Sequence, residues 1–513
     1  MRKRISLNLI GQLCTFVCSL CISFFLTPYI VANLGQETYG FVGLANNFTS
    51  YITLFTVALN GMLSRYVTVE YTRRDFEKAS GYLSTAIITQ MILALILLIP
   101  MMVLAGKIDS FVNISPDIIP DVRILWILMF LSFLMNLAVS GLGIATFAKN
   151  RLDISSMISI ITTLLRAGIL IIAFCFFTPH VWYMGLASIA CNILWIICSG
   201  LTKVKLMPEV KISRKYFSVR YIYNLLIVGV WNSLNKLQQI LYTGLDLLLT
   251  NLFISGTEMG LLSVAKTVPS LISSLINTVS GTFDPTMTIA YSHGDMKDFI
   301  KQTKMAMKLS GFLCSVPILG FICFGIDFYT LWMPSLSDVE VRKVHILAVL
   351  TLLPQVFSVY IYPLYTVNTI TCKLKVPVLL SIGIGVMNIS IVYILLKTTN
   401  LGVYVVAGVS SILWVCRIFL FVPVYAAWNI KVNWKTFYYP LLRGCINIVV
   451  IGTTFAIISK LTRIDNWLNM IVVCGTAGLI GYCICYFVMF NEMERKKVMS
   501  IFQSKIYGKG KKQ

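Results

Sequence analysis

The sequence predicts an all-α membrane protein that crosses the bilayer fourteen times. Three observations predict it: too little charge to cover a water-facing surface, apolar runs of spanning length from end to end, and basic residues gathered in alternate connections. Of 513 residues, 58% are hydrophobic and 12% charged, with a mean hydropathy of +0.83. Soluble domains carry about a quarter charged residues. A helix crosses the ~30 Å hydrocarbon layer with ~20 apolar residues and satisfies every backbone N–H and C=O within its own segment. Barrel strands would read as ~10-residue alternating segments, and none is present.

In order, the apolar runs fall at 5–33, 39–63, 82–105, 122–147, 154–177, 181–201, 221–252, 259–290, 307–332, 343–370, 377–396, 402–428, 441–460 and 467–490. Clusters of Lys/Arg, Pro, Gly or Asn separate them. Arg2-Lys3-Arg4 resembles the start of a signal peptide, but the apolar stretch behind it runs to about Val31 with no small-residue cleavage site, so a retained span is expected.

The basic residues test this division independently. With the N-terminus in the cytoplasm, thirty of the 42 Lys and Arg fall in inner connections and tails, seven in outer connections and five within spans. That bias follows the positive-inside rule with both termini cytoplasmic. The net charge of +22 therefore marks orientation and contact with anionic lipid, and no nucleic-acid partner is expected. Most of the fourteen cysteines lie in apolar runs, where Cys acts as a small hydrophobe. Cys18-Ser-Leu-Cys21 has redox or zinc spacing but no partner pair. His180, His293 and His345 are far apart, so no metal site is expected.

The longest inner connection, Thr202–Arg220, carries six basic residues. It divides the chain into a first bundle (1–201), a basic linker (202–220), a second bundle (221–428), two further spans (441–490) and a basic tail (491–513). A weak internal repeat supports two related six-helix halves. Shifted by 220, Tyr39-Gly40-Phe41 meets Met259-Gly260-Leu261, Gly61 meets Gly281 and Asp75 meets Asp295. Shifted by 222, Arg151-Leu152-Asp153-Ile154 meets Lys373-Leu374-Lys375-Val376. Six spans is an even number, so the halves share one orientation, related by an axis along the membrane normal.

Charged groups at bilayer depth are costly and usually face a cavity or a partner. The seventh run carries Asn232, Asn235, Lys236, Gln239, Thr243 and Asp246 on one helical face; the eighth carries Ser263, Lys266, Ser270, Ser273, Asn277, Ser280 and Asp284. The second run carries Asn46, Ser50, Thr53, Asn60 and Ser64, which the 220 shift aligns with the eighth, and the first adds Asn8 and Gln12. Small polar residues also serve as glue between helices, the plainer reading for the Ser and Thr positions. Lys236, Lys266, Arg166 and Arg417 are isolated deep cations and point to a water-filled cavity. Arg65 and Asp284 lie near inner ends, where snorkelling or a loop ion pair explains them equally. Asp246 is the clear intramembrane acid: it binds a coupling Na⁺ or H⁺, as Asp284 could, or it pairs with Lys236 or Lys266. Such a cavity attracts an anion, and a phosphate or diphosphate group suits Arg. No Walker A, G-x-S-x-G or H-E-x-x-H motif occurs, and the outer loops are too short for a catalytic domain, so neither an enzyme nor a cofactor is expected.

Two six-helix halves with polar first, second, seventh and eighth spans, plus two C-terminal spans, resemble the MOP (MATE-like) exporter superfamily. Within it the chain is similar to the polysaccharide transporters, the Wzx-type lipid-linked oligosaccharide flippases. The residues that carry this are Pro28-Tyr29-Ile30-Val31-Ala32-Asn33-Leu34-Gly35 with Tyr39-Gly40, Leu374-Lys375-Val376-Pro377, Asn388 and Leu401-Gly402-Val403. The resemblance implies a V-shaped pair of bundles in a bacterial inner membrane. It implies flipping of undecaprenyl-diphosphate-linked oligosaccharide (an O-antigen, capsule or exopolysaccharide repeat unit) from the cytoplasmic to the periplasmic leaflet, with the last two spans accompanying the lipid tail. It further implies a monomer working beside polymerase and glycosyltransferase machinery. The alternatives are a cation-coupled multidrug exporter, a peptidoglycan-precursor flippase and a membrane-embedded glycan-assembly protein.

Overall fold

A computed structural model describes residues 2–149, 151–371 and 373–495, and among these the side chains of all but 2–10, 12, 13, 16, 55, 61, 227, 228, 231, 242, 243, 285 and 292. The side chains of Asn8, Gln12 and Thr243, and the tail from Lys496, lie outside the described residues. The described residues are helical with no strand. The helices are α1 (Arg2–Leu34), α2 (Gln36–Thr72), α3 (Phe76–Gly106), α4 (Pro116–Ala148), α5 (Leu152–Phe176), α6 (Tyr183–Leu206), α7 (219–253), α8 (Gly256–Tyr291), α9 (Met296–Trp332), α10 (Asp338–Ile370), α11 (Lys375–Thr398), α12 (Val403–Asn429), α13 (Trp434–Leu461) and α14 (Trp467–Met489).

Twelve of the helical segments are long and apolar enough to span a bilayer; α2, bent by 61° near residue 55, makes a thirteenth. The predicted fourteenth, α7, is too polar and too broken to count by that measure: Val219–Gln239 runs through a π turn at Ile240–Gly244 into Asp246–Phe253. The bent and the broken helix are two of those whose polar stripes the sequence singles out.

One pair of helix starts agrees with the 220-residue shift. Arg74 (φ 62°) precedes Asp75, whose carboxylate accepts from Lys78 N at 3.0 Å to start α3. Shifted by 220, Gly294 (φ 73°) precedes Asp295, whose carboxylate accepts from Lys297 N and Asp298 N, both at 3.0 Å, to start α9. Each carboxylate satisfies N–H groups that the first helical turn leaves open.

The chain groups into two compact units, 1–264 with 377–406, and 265–376 with 407–513. This grouping follows packing, whereas the division at 202–220 follows the repeat. In the first unit, Thr15 and Tyr29 of α1 donate to the carbonyls of Ser156 and Phe174 on α5 (both 3.3 Å). Asn60, fully buried Gln90 and Ser140 knot α2, α3 and α4 together, with Ser140 Oγ donating to Gln90 Oε1 at 3.0 Å. The basic linker lies as a strap on α3: Lys211 N donates to Ser80 Oγ (2.9 Å), Ser213 N to Ser84 Oγ (3.1 Å) and Ser218 N to Thr85 Oγ1 (3.1 Å). Of its cations, Lys203 is buried and donates to the carbonyl of Val210.

In the second unit, Tyr360 of α10 fills a notch at Gly311 of α9 and Gly444 of α13, where any Cβ would meet its ring. Buried Asn447 of α13 donates to Tyr360 Oη (3.0 Å) and Ser315 Oγ (3.3 Å). Lys308 of α9, also buried, donates to both carboxylate oxygens of Glu494 at 2.7 Å. These contacts make α13 and α14 part of the second unit's core.

Candidate functional site

In the first unit, α2 and α7 pack so closely that a Cβ at Gly229 would run into the carbonyl oxygen of Ala58. Ser233 Oγ donates to the carbonyl of Leu54 at 2.9 Å, next to the bend. A π turn lets a carbonyl leave the regular ladder, a feature frequent at functional sites. Here Gly244 O accepts from Asn47 Nδ2 at 3.0 Å and from Tyr51 Oη. Asp246 then opens Asp246–Phe253 with its side chain buried and acting electrostatically on Tyr51. An acid in a first turn sits at the positive end of the helix dipole.

One turn before the π turn, Lys236 Nζ donates to Gln239 Oε1 at 3.3 Å. Lys236, Asn232 and Asn235 are half-buried and Gln239 is exposed. The predicted stripe therefore exists as a partly open polar face that ends at the π turn, with Asp246 beyond it. Asn46 and Arg65 are exposed. It is Asn47, the next residue, that reaches α7.

Arg166 lies elsewhere in this unit. Its electrostatic neighbours are Tyr39 of α2 and Cys191 of α6. Tyr39 shares a 3.4 Å hydrogen bond with Thr27 of α1, and Cys191 donates to the carbonyl of Thr162 at 3.1 Å. The buried Nε of Arg166 has no hydrogen-bond partner among the described residues.

In the second unit, α8 breaks at Lys266 and again at Thr282–Phe283, leaving helical pieces Thr267–Gly281 and Asp284–Ser292. Both predicted charges of this stripe thus stand at helix breaks. Asp284 Oδ1 accepts from Thr366 Oγ1 at 2.8 Å, Asn277 Oδ1 accepts from Tyr362 Oη, and Gln355 Nε2 donates to the carbonyl of Pro269 at 3.3 Å. The partners all come from one face of α10 that the sequence reading passed over. Gln355, Ser358, Tyr362, Tyr365 and Thr366 recur at helical spacing, and that polar stripe was the signal that could have revealed it. Arg417 of α12 is 7% exposed and lies with its guanidinium carbon 5.6 Å from the centre of the Tyr365 ring. No group of three or more His, Cys, Asp or Glu that could hold a metal is found among the described residues.

Many apolar helices, three of them broken or bent at polar stripes, define a multi-pass membrane transporter. Residues 3–289 match the family described as polysaccharide biosynthesis protein, and the chain belongs to that family, the polysaccharide-transporter branch of the MOP superfamily. An uncharacterized membrane protein, EpsK of Bacillus subtilis (strain 168), is 27% identical over 98% of each chain. Among solved structures, a lipid II flippase MurJ in an inward closed conformation is similar with a TM-score of 0.70 at 16% identity, covering 98% of this chain and 99% of that one. An inward-facing MATE-family multidrug transporter is similar with a TM-score of 0.60 at 16% identity, covering 81% of this chain and 98% of that one. These structural likenesses establish a MurJ- and MATE-like helical fold. The family and these neighbours are transporters and flippases, and no enzyme stands among them.

Proposed function

We propose that this protein flips an undecaprenyl-diphosphate-linked oligosaccharide from the cytoplasmic to the outer leaflet of a bacterial cytoplasmic membrane. It crosses the membrane fourteen times, keeps both termini inside and works by alternating access. One observation carries the reading: a chain of the polysaccharide-biosynthesis family holds deep cations in apolar helices, Lys236 on a half-open polar face and Arg166 with a buried Nε that has no hydrogen-bond partner among the described residues. An anionic diphosphate suits such cations. The full-length likeness to a lipid II flippase supports a lipid-linked substrate, because it includes α13 and α14. The MATE likeness leaves about a fifth of the chain uncovered.

Asn232, Asn235 and Gln239 are proposed to contact substrate beside Lys236 in the first unit, and Lys266 of the second unit is proposed as a further contact. Asp246, buried at its helix start, is the site proposed for a coupling Na⁺ or H⁺, with Asp284 as the second such acid.

The test is genetic. Deletion is expected to abolish surface polysaccharide, wild type to restore it, and Lys236→Ala and Arg166→Ala not to restore it at matched protein levels. Normal polysaccharide in every cation variant would sink the reading. Drug sensitivity with intact polysaccharide would favour the multidrug exporter, and essentiality of the gene the peptidoglycan-precursor flippase.

A further inference from the structure

We infer that the connection between α12 and α13, in the second unit, is a docking surface for anionic phospholipid headgroups, with Lys373, Lys431 and Lys435 as its cations and Trp428 and Trp434 as its anchors in the bilayer interface. Charge sets the sign. Between Glu340 and Asp465 the chain has no acidic residue, so every charged side chain from there through α13 is basic. Lys373, Lys431 and Lys435 are exposed. Of the acids at the same end of this unit, Asp284 accepts from Thr366, Asp295 caps α9, Asp298 accepts from Gln302 and Glu494 from Lys308. Glu492 is exposed after α14.

The backbone under the cations is fixed. The chain leaves α12 through a cap in which Val432 N donates to the carbonyl of Ala427 at 3.0 Å and Lys431 N to that of Trp428 at 3.1 Å. Lys431 takes the left-handed position of that cap (φ 56°), a place usually held by glycine. Asn433 Oδ1 then accepts from Lys435 N at 2.9 Å. Lys373 Nζ donates to the carbonyl of Asn429 and Tyr425 Oη to the carbonyl of Lys373, both at 3.2 Å. Rings stand under the cations. Lys373 Nζ lies 5.3 Å from the centre of the Trp428 ring, Lys435 Nζ 5.3 Å from that of Trp434, and the guanidinium carbon of Arg443 4.8 Å from that of Tyr439. All three rings are more than half exposed. Indole and phenol rings favour the headgroup level of a bilayer. An ammonium resting on a ring face has three donors and keeps some for phosphate oxygens. Leu442 and Ile446, exposed one and two turns beyond Tyr439, are apolar, so the patch runs into a face that suits hydrocarbon. Basic residues at headgroup level attract anionic lipid. A zwitterionic headgroup would bring its own cation against these ammonium groups, and an anionic one does not.

This surface stands apart from the flippase reading, and its test does not use transport. The full chain is placed in nanodiscs of phosphatidylcholine that contain a rising fraction of brominated phosphatidylglycerol in one arm and of brominated phosphatidylcholine in the other, and quenching of tryptophan fluorescence is followed. The anionic lipid is expected to quench at about a tenfold lower fraction than the zwitterionic one, and each of Lys373→Gln, Lys431→Gln and Lys435→Gln to reduce that preference about threefold to fivefold. The triple variant is expected to show no preference, and added salt to narrow it in the wild type. Trp428→Phe combined with Trp434→Phe is expected to remove most of the excess quenching, which places the lipid at this connection. Equal quenching by the two lipids in the wild type overturns the inference, as does a preference unchanged in the triple lysine variant or in the double tryptophan variant. If the triple variant does not fold, the three single variants, all at exposed positions, decide in the same way.

Discussion

Helix α7 carries Asn232, Asn235, Lys236, Gln239, Thr243 and Asp246 within fifteen residues and breaks at a π turn, whereas α14 has no charged residue and runs unbroken from Trp467 to Met489. Both depend on close packing at glycine. At α7 the close neighbour of Gly229 is a backbone carbonyl, that of Ala58. At α14 the neighbour of Gly481 is the ring edge of Phe455, 2.7 Å from where a Cβ would stand. A backbone neighbour cannot rotate away and a ring can. At this glycine the polar helix meets a rigid main-chain neighbour, whereas the apolar one meets an adjustable side chain.

This contrast can be broken most sharply at the glycines. Gly229→Ala is expected to destabilise the protein by about 3 kcal/mol and Gly481→Ala by about 1 kcal/mol, since overpacking costs ~1–3 kcal/mol according to how far neighbours yield. Unfolding in detergent, followed by thiol-reactive dye at buried Cys314 and Cys485, reads both; equal effects would end the distinction.

Next comes the ion pair that ties α9 to the segment after α14. Lys308→Met is expected to cost about 2 kcal/mol, between exposed and fully buried pairs, because Glu494 retains some solvent contact. Burial pushes the Glu494 carboxyl up, but the hydrogen bond from Lys308, with smaller contributions from Asn491 N and the Lys308 and Arg443 charges, holds it below the ordinary glutamate value. A depressed carboxyl stabilises the fold above the unfolded-state value and loses that contribution as pH falls through the folded-state value. Thermal stability of the wild type should therefore drop below about pH 4.5 by more than that of Lys308→Met; parallel pH curves would refute the coupling.

Asn447→Ala should cost about 1–2 kcal/mol by leaving the hydroxyl of Tyr360 unsatisfied. The smallest effect is expected at Asp75→Ala, about 1 kcal/mol for a lost N-cap. By contrast Lys236→Ala, on a half-open face, is expected to shift stability by less than about 0.5 kcal/mol while transport fails. A large stability loss there would place Lys236 in the scaffold.

Much of this was legible in the sequence. Apolar run length located each helix but not its ends: α9 begins at Met296, well before the run at 307, and α2 ends at Thr72, well past 63. The 220-residue shift pairs Asp75 with Asp295, and both cap a helix start. The polar residues of α7 from Asn232 to Gln239 share a half-open face as read, but the π turn sets Asp246 apart from it; Asp284 was read as near a helix end. What was not legible is who meets whom. Asn46 was singled out, but Asn47 and Tyr51 take the freed carbonyl of Gly244. Lys308 was counted among the inner basic residues, but it is buried against Glu494. The connection at 202–220 read as a plain linker, but its backbone is stitched to Ser80, Ser84 and Thr85. The polar face of α10 was missed because its hydroxyls and amide carry no charge to attract notice in an apolar helix.

By itself the sequence determined the solvent, the class of secondary structure, the order of the apolar helices and the family, because each depends on local composition and spacing along one segment. Only the tertiary structure decided which deep cations have partners, where α7 gives up its regular hydrogen bonds, and that α13 and α14 belong to the core of the second unit. Most of those outcomes depend on side chains from separate helices, up to 197 residues apart, meeting at a few ångströms, and no periodicity within a single helix records them.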